Sequence, residues 1–251
     1  MADTSLHKPS LAHRATRLAL IAGAAAAVIV GIGLAQGVHG QSGPPAAPAA
    51  VAAPLVDTAS GGGLQTAVLS GGCFWGVQGV FEHVRGVRQV LAGYAGGAGV
   101  TANYDLVSTG TTGHAESVQI VFDPAQISYG EILRIFFSVA TDPTQVGGQY
   151  PDEGSQYRSE IFYTSDTQRN VAQRYISQLD AAKAFSRPIA TRVDALTGFF
   201  RAEAYHQDYL ELHPEQPYIA TYDLPKVAAL KALLPADYRA APVLALGSDT
   251  P

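Results

Sequence analysis

Cys73 stands where a predicted strand gives way to a predicted helix, in the run GGCFWG over residues 71–76. A thiol at a helix N-terminus faces unpaired N–H groups and the positive end of the helix dipole, which favours the nucleophilic thiolate. The two glycines allow a sharp turn and leave the sulfur uncrowded. A lone cysteine is more often an inert, buried hydrophobic residue. In this setting, beside the only tryptophan of the chain, the pattern instead predicts a nucleophile.

Several further stretches have the residue types that would accompany such a nucleophile. They lie at residues 93–97, 112–116, 142–145, 152–159, 202–207 and 213–214, in addition to the cysteine stretch at 72–76. Their content and order resemble the signature of the A-type peptide methionine sulfoxide reductases. The resemblance covers about residues 65–235, which is the whole predicted folded part. The pentapeptide GCFWG would be a fair signal by itself, and the other stretches make it a strong one.

The resemblance implies an enzyme that reduces methionine sulfoxide, free and in proteins, with selectivity for the S epimer and without a metal or organic cofactor. A thiolate attacks a sulfoxide sulfur only if the oxygen is protonated or strongly hydrogen-bonded as it leaves. The resemblance assigns Cys73 as the nucleophile and Glu116 as a general acid with a raised pKa. It assigns Tyr104 and Tyr157 as phenolic donors to the oxygen, and Asp152 as a polar residue of the pocket. Phe74 and Trp75 are assigned as the apolar wall for the S-methyl group.

Each of these residues also has a plain structural interpretation. Glu116 precedes a predicted strand, where a solvated edge charge is common. Tyr104 and Tyr157 are two of twelve tyrosines, most of which are expected to pack half-buried. Asp152 lies in a Gly- and Pro-containing loop, where Asp favours turns. Trp75 could belong to the core.

Two other functions remain open from the residues alone. One is a cysteine hydrolase or transferase that pairs Cys73 with His114 or His206. The other is a non-enzymatic binding module of the cell envelope with a structural cysteine. A zinc deaminase is excluded, because the H-x-E of residues 114–116 would need a pair of cysteines further along.

The cysteine count bears on how the enzyme is recycled. The 251 residues contain one Cys, so no disulfide can form within them. Many members of the resembled family have further cysteines in the C-terminal tail that resolve the oxidised catalytic residue. Here residues 211–251 have none, and Ser108 stands where some members have another cysteine. We therefore expect a small thiol, or a thioredoxin- or glutaredoxin-like protein, to reduce the oxidised enzyme.

Composition narrows the classes of partner. The chain is 47% hydrophobic and 15% charged, with a net charge of −5. There is no basic surplus to neutralise phosphates, which excludes a nucleic-acid partner. We expect a monomer that acts on oxidised proteins and on free methionine sulfoxide.

The N-terminal segment predicts export. Lys8, Arg14 and Arg17 precede an uncharged run over residues 18–38, close to the roughly 20 residues that span a bilayer. Residues 1–40 are therefore interpreted as a cleaved signal peptide or a membrane anchor, with a buried core helix and a mitochondrial presequence both disfavoured. Residues 41–63 are Pro- and Ala-rich and predict a linker. The enzyme would then face the periplasm and repair oxidised envelope proteins.

The periodicity of apolar residues predicts an α/β (α+β) fold. The order of its strands and helices is that of a ferredoxin-like split βαβ sandwich with an irregular C-terminal tail. The catalytic domain is predicted over residues 64–235 and the tail over 236–251. Strands are predicted at 65–70, 87–94, 117–122, 160–164 and 189–193. Helices are predicted at 74–84, 128–139, 167–184, 199–213 and 226–233.

Overall fold

The structure is a computed structural model that describes residues 47–58 and 62–245. The predicted export segment at residues 18–38 lies outside the described residues, as do parts of the predicted linker and tail. None of the helices in the described part of the chain is long and apolar enough to cross a membrane.

Within residues 47–58 and 62–245, eight strands form one large and one small sheet. In chain order they are β1 (Gln65–Gly71), β2 (Val87–Ala95), β3 (Ala115–Phe122), β4 (Gly148–Gln149), β5 (Asp152–Glu153), β6 (Ser159–Tyr163), β7 (Arg192–Ala195) and β8 (Phe199–Arg201). The large sheet has the order β7-β6-β1-β3-β2-β8, and β4 pairs with β5. Strand β3 lies antiparallel between β1 and β2, and β6 flanks β1, which is the predicted split βαβ arrangement.

The part of the chain that the structure describes also has six α-helices. They are α1 (Phe74–Glu82), α2 (Tyr104–Val107), α3 (Tyr129–Ile135), α4 (Asp166–Ala181), α5 (Tyr209–Leu212) and α6 (Leu224–Leu233). The predicted N-cap of α3 is confirmed, since Ser128 Oγ accepts a hydrogen bond from the Glu131 N–H at 3.1 Å. Beyond α3 the chain continues as a π-helical turn, Phe136–Ala140, and another such turn, Ile219–Asp223, precedes α6.

Helix α1 is fixed by its apolar side chains. Val77, Val80 and Phe81 of the helix, and Val84 just after it, follow helical spacing and are all buried in the main core. The N-terminus of α1 is therefore held directly beyond the end of β1, and Cys73 lies between the two elements.

The prediction of a helix over residues 199–213 is wrong. The segment begins with β8, which pairs antiparallel with the end of β2. The pairing depends on Gly93 of β2, where a Cβ atom would lie 2.3 Å from the Phe199 ring. Hydrogen bonds to a free sheet edge thus outweigh local helix propensity, and only Tyr209–Leu212 become α-helical. The short strand predicted at 189–193 is found at Arg192–Ala195, where it lies parallel to β6.

Candidate active site

Cys73 occupies the N-cap of α1, and its side chain is almost fully buried. Gly72 before it has a φ of +99°, a conformation that glycine adopts without strain. A Cβ atom on Gly72 would lie 2.8 Å from Gln149, so the turn is closely packed as well as sharp. The predicted strand–turn–helix setting of the thiol is confirmed.

The surroundings of Cys73 oppose the thiolate that the helix N-terminus favours. Burial raises the pKa of the Cys73 thiol well above its ordinary value, and the nearby carboxyl groups of Glu116 and Asp223 raise it further. The backbone N–H of Trp75 donates to the sulfur and lowers the pKa of the thiol, as expected at a helix N-terminus. This effect is smaller than that of burial. The sulfur therefore rests as a thiol and must be activated within the site.

Glu116 lies on β3 and is almost completely buried. Its Oε2 accepts a hydrogen bond from the Phe74 N–H at 3.0 Å, which fixes the carboxyl beside the first turn of α1. Burial raises the pKa of Glu116 to about 8; the Phe74 N–H opposes this, and the nearby Asp152 reinforces it. At neutral pH the group is therefore a buried, protonated carboxylic acid beside a thiol.

Tyr104 and Tyr157 join this pair from two different loops. Tyr104 begins α2, and Tyr157 ends a 3₁₀ turn, Ser155–Tyr157. Burial raises the pKa of each phenol, and the next cause in both cases is the carboxyl of Glu116. Cys73 acts electrostatically on both as well. Both hydroxyls remain protonated and can donate to an oxygen atom bound beside Glu116.

Phe74 and Trp75 form an aromatic surface next to the thiol. Phe74 is buried, whereas Trp75 is half-buried and stacks on Tyr209 with ring centroids 3.9 Å apart. The Trp75 indole N–H donates to His206 Nδ1 at 3.1 Å. The wall is therefore held by packing and by a directional bond.

Asp152 lies on β5 at the edge of the same site. Its carboxylate accepts a hydrogen bond from the Tyr218 hydroxyl. Burial raises the pKa of Asp152, while the Tyr218 hydroxyl and Lys226 partly offset this. All seven residues singled out from the sequence are thus brought to one site.

Comparison with known proteins agrees with this geometry. The sequence model of the family described as peptide methionine sulfoxide reductase matches residues 65–235. The chain belongs to this family, in its A-type branch. It is 53% identical over 194 residues to peptide methionine sulfoxide reductase MsrA 2 of Mesorhizobium japonicum, covering 77% of this chain and 100% of that protein. It is 55% identical over 165 residues to MsrA 2 of a Synechocystis species, covering 66% of this chain and 77% of that protein.

Solved structures give the same assignment. Mxr1 of Saccharomyces cerevisiae in reduced form is 29% identical, with a TM-score of 0.56 over 61% of this chain and 87% of that one. Methionine sulfoxide reductase A of Corynebacterium diphtheriae is 30% identical, with a TM-score of 0.53 over 62% of this chain and 78% of that one. This reductase therefore catalyses the thiol-dependent reduction of methionine sulfoxide.

The histidines of the rival cysteine–histidine interpretation are engaged elsewhere in this reductase. His114 Nδ1 accepts from the Gly97 N–H at 3.2 Å, and its Nε2 lies 3.0 Å from the Ala98 carbonyl oxygen. His206 Nδ1 is occupied by the Trp75 indole, and burial lowers the pKa of His206. His206 therefore supports the aromatic wall, and both rings have partners other than Cys73.

Three residues of the site were not predicted from the sequence: Glu203, Tyr218 and Asp223. Glu203 accepts from the Tyr94 hydroxyl at 2.8 Å and from the Tyr104 N–H at 3.0 Å, so it holds the start of α2 in place. Asp223 is fully buried against α1 and pairs with Lys226 at 3.1 Å. Tyr218 and Asp223 come from the Pro-interrupted C-terminal region, where no local pattern indicates a site. Glu203 lies within the matched stretch 202–207 and could have been singled out there.

Proposed function

We propose that this reductase acts on the S epimer of methionine sulfoxide, with Cys73 as nucleophile and Glu116 as general acid. The observation that carries the proposal is the buried Glu116 carboxyl, whose pKa of about 8 keeps it protonated beside the thiol at neutral pH. A carboxylic acid kept neutral by burial can protonate a leaving oxygen at neutral pH.

The first half-reaction transfers the sulfoxide oxygen to the enzyme. Cys73 sulfur bonds to the sulfoxide centre while Glu116, Tyr104 and Tyr157 hold and protonate the oxygen. While Glu116 is neutral it adds no Coulombic penalty to the Cys73 thiolate, which lowers the cost of ionising the sulfur. The products are methionine and a Cys73 sulfenic acid; one thiol and one sulfoxide have become one sulfenic acid and one thioether.

The second half-reaction uses an external thiol. The thiol sulfur bonds to Cys73 sulfur, the S–O bond breaks, and the hydroxyl leaves with the thiol proton as water. A second thiol then attacks the mixed disulfide and releases Cys73. This route is supported by the single cysteine among the 251 residues. The donor class is a small thiol or a thioredoxin- or glutaredoxin-like protein.

We also propose that the enzyme is exported and repairs oxidised envelope proteins. The support is the order of charge and apolar residues, with Lys8, Arg14 and Arg17 before the uncharged run 18–38. A reporter enzyme that works only outside the cytoplasm, fused after Thr58, should be active. An intact but inactive fusion would contradict export, and the N-terminus of the mature chain distinguishes cleavage from anchoring.

The catalytic proposal is tested on the separated sulfoxide epimers of N-acetylmethionine with a dithiol as reductant. The wild-type chain should consume the S epimer and leave the R epimer. Cys73→Ser should keep the fold, by circular dichroism, and lose activity. Turnover by Cys73→Ser, or equal use of the two epimers by the wild type, would refute the proposal.

A further inference from the structure

Arg158 follows the 3₁₀ turn Ser155–Tyr157 and joins this turn to the start of β3. Its Nη1 donates to the Ser155 carbonyl at 2.9 Å, which ties the guanidinium to the turn. Nη1 also donates to the His114 carbonyl at 3.2 Å, and Nη2 donates to the Gly113 carbonyl at 3.0 Å. The guanidinium therefore bridges two segments that lie 44 and 45 residues apart in the sequence.

These two segments carry two of the residues assigned to the sulfoxide oxygen. Tyr157 ends the 3₁₀ turn, directly before Arg158, and Glu116 is the second residue of β3, two positions after His114. Among the described residues, the hydrogen bonds of Arg158 go to the segments around this phenol and this carboxyl, and none goes to the turn over residues 71–73. Arg158 thus joins the two oxygen-binding segments without touching the turn that leads to the thiol.

The orientation of the guanidinium is itself fixed by its surroundings. Its Nε donates to Oε2 of Glu160, which lies on β6 and is almost completely buried. Gly96 leaves room for the guanidinium, since a Cβ atom there would lie 2.8 Å from Nη2. Each of the three guanidinium nitrogens therefore has an acceptor of its own, and only the planar, five-donor fork of an arginine can serve them all.

The same 3₁₀ turn is also bonded to the loop after α2. Ser155 Oγ donates to the Gly110 carbonyl at 2.8 Å, and Gln156 Nε2 donates to the Ser108 carbonyl at 3.2 Å. Ser108 is the C-cap of α2, the helix that begins with Tyr104. The segment that carries the second phenol is therefore linked to the turn that Arg158 holds.

The position of such donors matters more than their presence. A donor stabilises the leaving oxygen only if it meets the place that the oxygen takes in the transition state. A misplacement of about 1 Å, caused by a change away from the reacting atoms, can cost about a hundredfold in rate. A residue that fixes two oxygen-binding segments relative to each other therefore controls the rate without contacting the substrate.

We infer that Arg158 is a positioning residue of this reductase, whose guanidinium holds the Tyr157 turn and the start of β3 so that Tyr157 and Glu116 meet the sulfoxide oxygen together. It acts through these two side chains. The inference rests on the proposed function, because it needs the phenol and the carboxyl to bind the oxygen.

The test replaces Arg158 conservatively in the full-length chain. Arg158→Lys keeps a positive charge beside Glu160, but its single nitrogen cannot serve acceptors that lie in three directions. The matched control is Arg192→Lys, because Arg192 pairs with the other oxygen of Glu160 at 3.7 Å and is 59% exposed. Methionine release in a single turnover is measured over a range of N-acetylmethionine sulfoxide concentrations. Alkylation of Cys73 by iodoacetamide is measured on the same samples at pH 6, and circular dichroism checks the fold.

Arg158→Lys should lower the limiting rate of methionine release by about tenfold or more, because the oxygen donors are displaced. The sulfoxide concentration that gives half of this rate should change by less than about twofold, since these donors act mainly in the transition state. Alkylation of Cys73 should be unchanged, and Arg192→Lys should match the wild type throughout. A wild-type rate in Arg158→Lys, an equal loss of methionine release and alkylation, or an equal loss in Arg192→Lys would overturn the inference.

A second variant tests the same turn without altering Arg158. Ser155 is exposed, and Ser155→Ala removes only its bond to the Gly110 carbonyl. It should lower the limiting rate by about threefold and leave alkylation unchanged, as expected for losing one hydrogen bond. If Arg158→Lys does not fold and Ser155→Ala keeps the wild-type rate, the inference is overturned. Failure of the proposed function is distinguished from this, because Glu116→Gln and Tyr157→Phe would then both keep the wild-type rate.

Discussion

The carboxyl of Glu116 and the backbone N–H of Phe74 are joined by a hydrogen bond of 3.0 Å, which ties β3 to the first turn of the helix that carries Cys73. The bond holds the carboxyl of Glu116 beside the turn that carries the Cys73 thiol. At this position the charge of Glu116 acts on the thiol: when the carboxyl is ionised, it raises the pKa of Cys73.

Glu116→Gln should therefore affect reduction and thiol reactivity in opposite directions. Reduction should slow by roughly a hundredfold or more, as expected when a general acid is lost. Alkylation of Cys73 by iodoacetamide should be unchanged at pH 6, where Glu116 is neutral in the wild type. Above about pH 8 Glu116 ionises, and the variant should then be alkylated faster than the wild type.

Both effects are measured on the same protein samples, by methionine release in a single turnover and by the mass of alkylated protein across pH 6–10. Wild-type turnover in the variant would remove Glu116 from the mechanism. Identical alkylation profiles would show that the carboxyl does not act on the thiol.

The bond between Trp75 and His206 predicts a spectroscopic effect, because Trp75 is the only tryptophan in the chain. His206→Ala leaves the indole N–H without its acceptor and opens space beside the ring. The fluorescence emission should shift to the red, and KM for the sulfoxide should rise more than kcat falls, because the aromatic wall proposed to receive the methyl group loosens. His206→Asn keeps an acceptor near the Nδ1 position and should recover much of both properties. A variant with an unmoved emission maximum and an unchanged KM would rule out this positioning role.

Glu82 predicts a pH-dependent contribution to stability. Burial raises the pKa of Glu82 well above its ordinary value, and the neighbouring Asp208 reinforces the effect. A carboxyl with a raised folded-state pKa binds more protons in the folded state, so the free energy of unfolding decreases as the pH rises above the unfolded-state pKa. Glu82→Gln removes this dependence, and the difference in Tm between variant and wild type should become more positive from pH 5 to pH 8.

The control for this experiment is Glu215→Gln, since Glu215 is exposed. Its Tm should follow the wild type at both pH values. A constant difference between Glu82→Gln and the wild type would show that Glu82 is not held neutral by the fold.

The single cysteine predicts the product of one turnover without reductant. One equivalent of sulfoxide should release one methionine and leave a protein heavier by one oxygen atom, located on Cys73. Dimedone should label that residue, and an added thiol should convert it to a mixed disulfide. Intact-protein mass spectrometry checks each step. Methionine release with no gain in mass would contradict the proposed cycle.

Local sequence patterns predicted much of the fold. The spacing of Val77, Val80, Phe81 and Val84 predicted α1, and Ser128 with Glu131 predicted the start of α3. These features depend on helical periodicity and on capping bonds between near neighbours, which are present in the sequence itself. Strand β8 could not be predicted this way, because its partner Gly93 lies more than a hundred residues earlier and provides both the free edge and the space.

The sequence by itself determined the family, the seven residues that were singled out, and the presence of a single cysteine among these 251 residues, on which the proposal of an external thiol rests. Motif stretches and a cysteine count are properties of the chain, so they need no coordinates. The tertiary structure decided the charge states: burial and nearby carboxyls keep Cys73 as a thiol and Glu116 as an acid, against the thiolate expected from the helix N-terminus. It also placed Glu203, Tyr218 and Asp223 at the site. Desolvation and through-space Coulomb interactions depend on which segments the fold brings together, and sequence distance does not measure that.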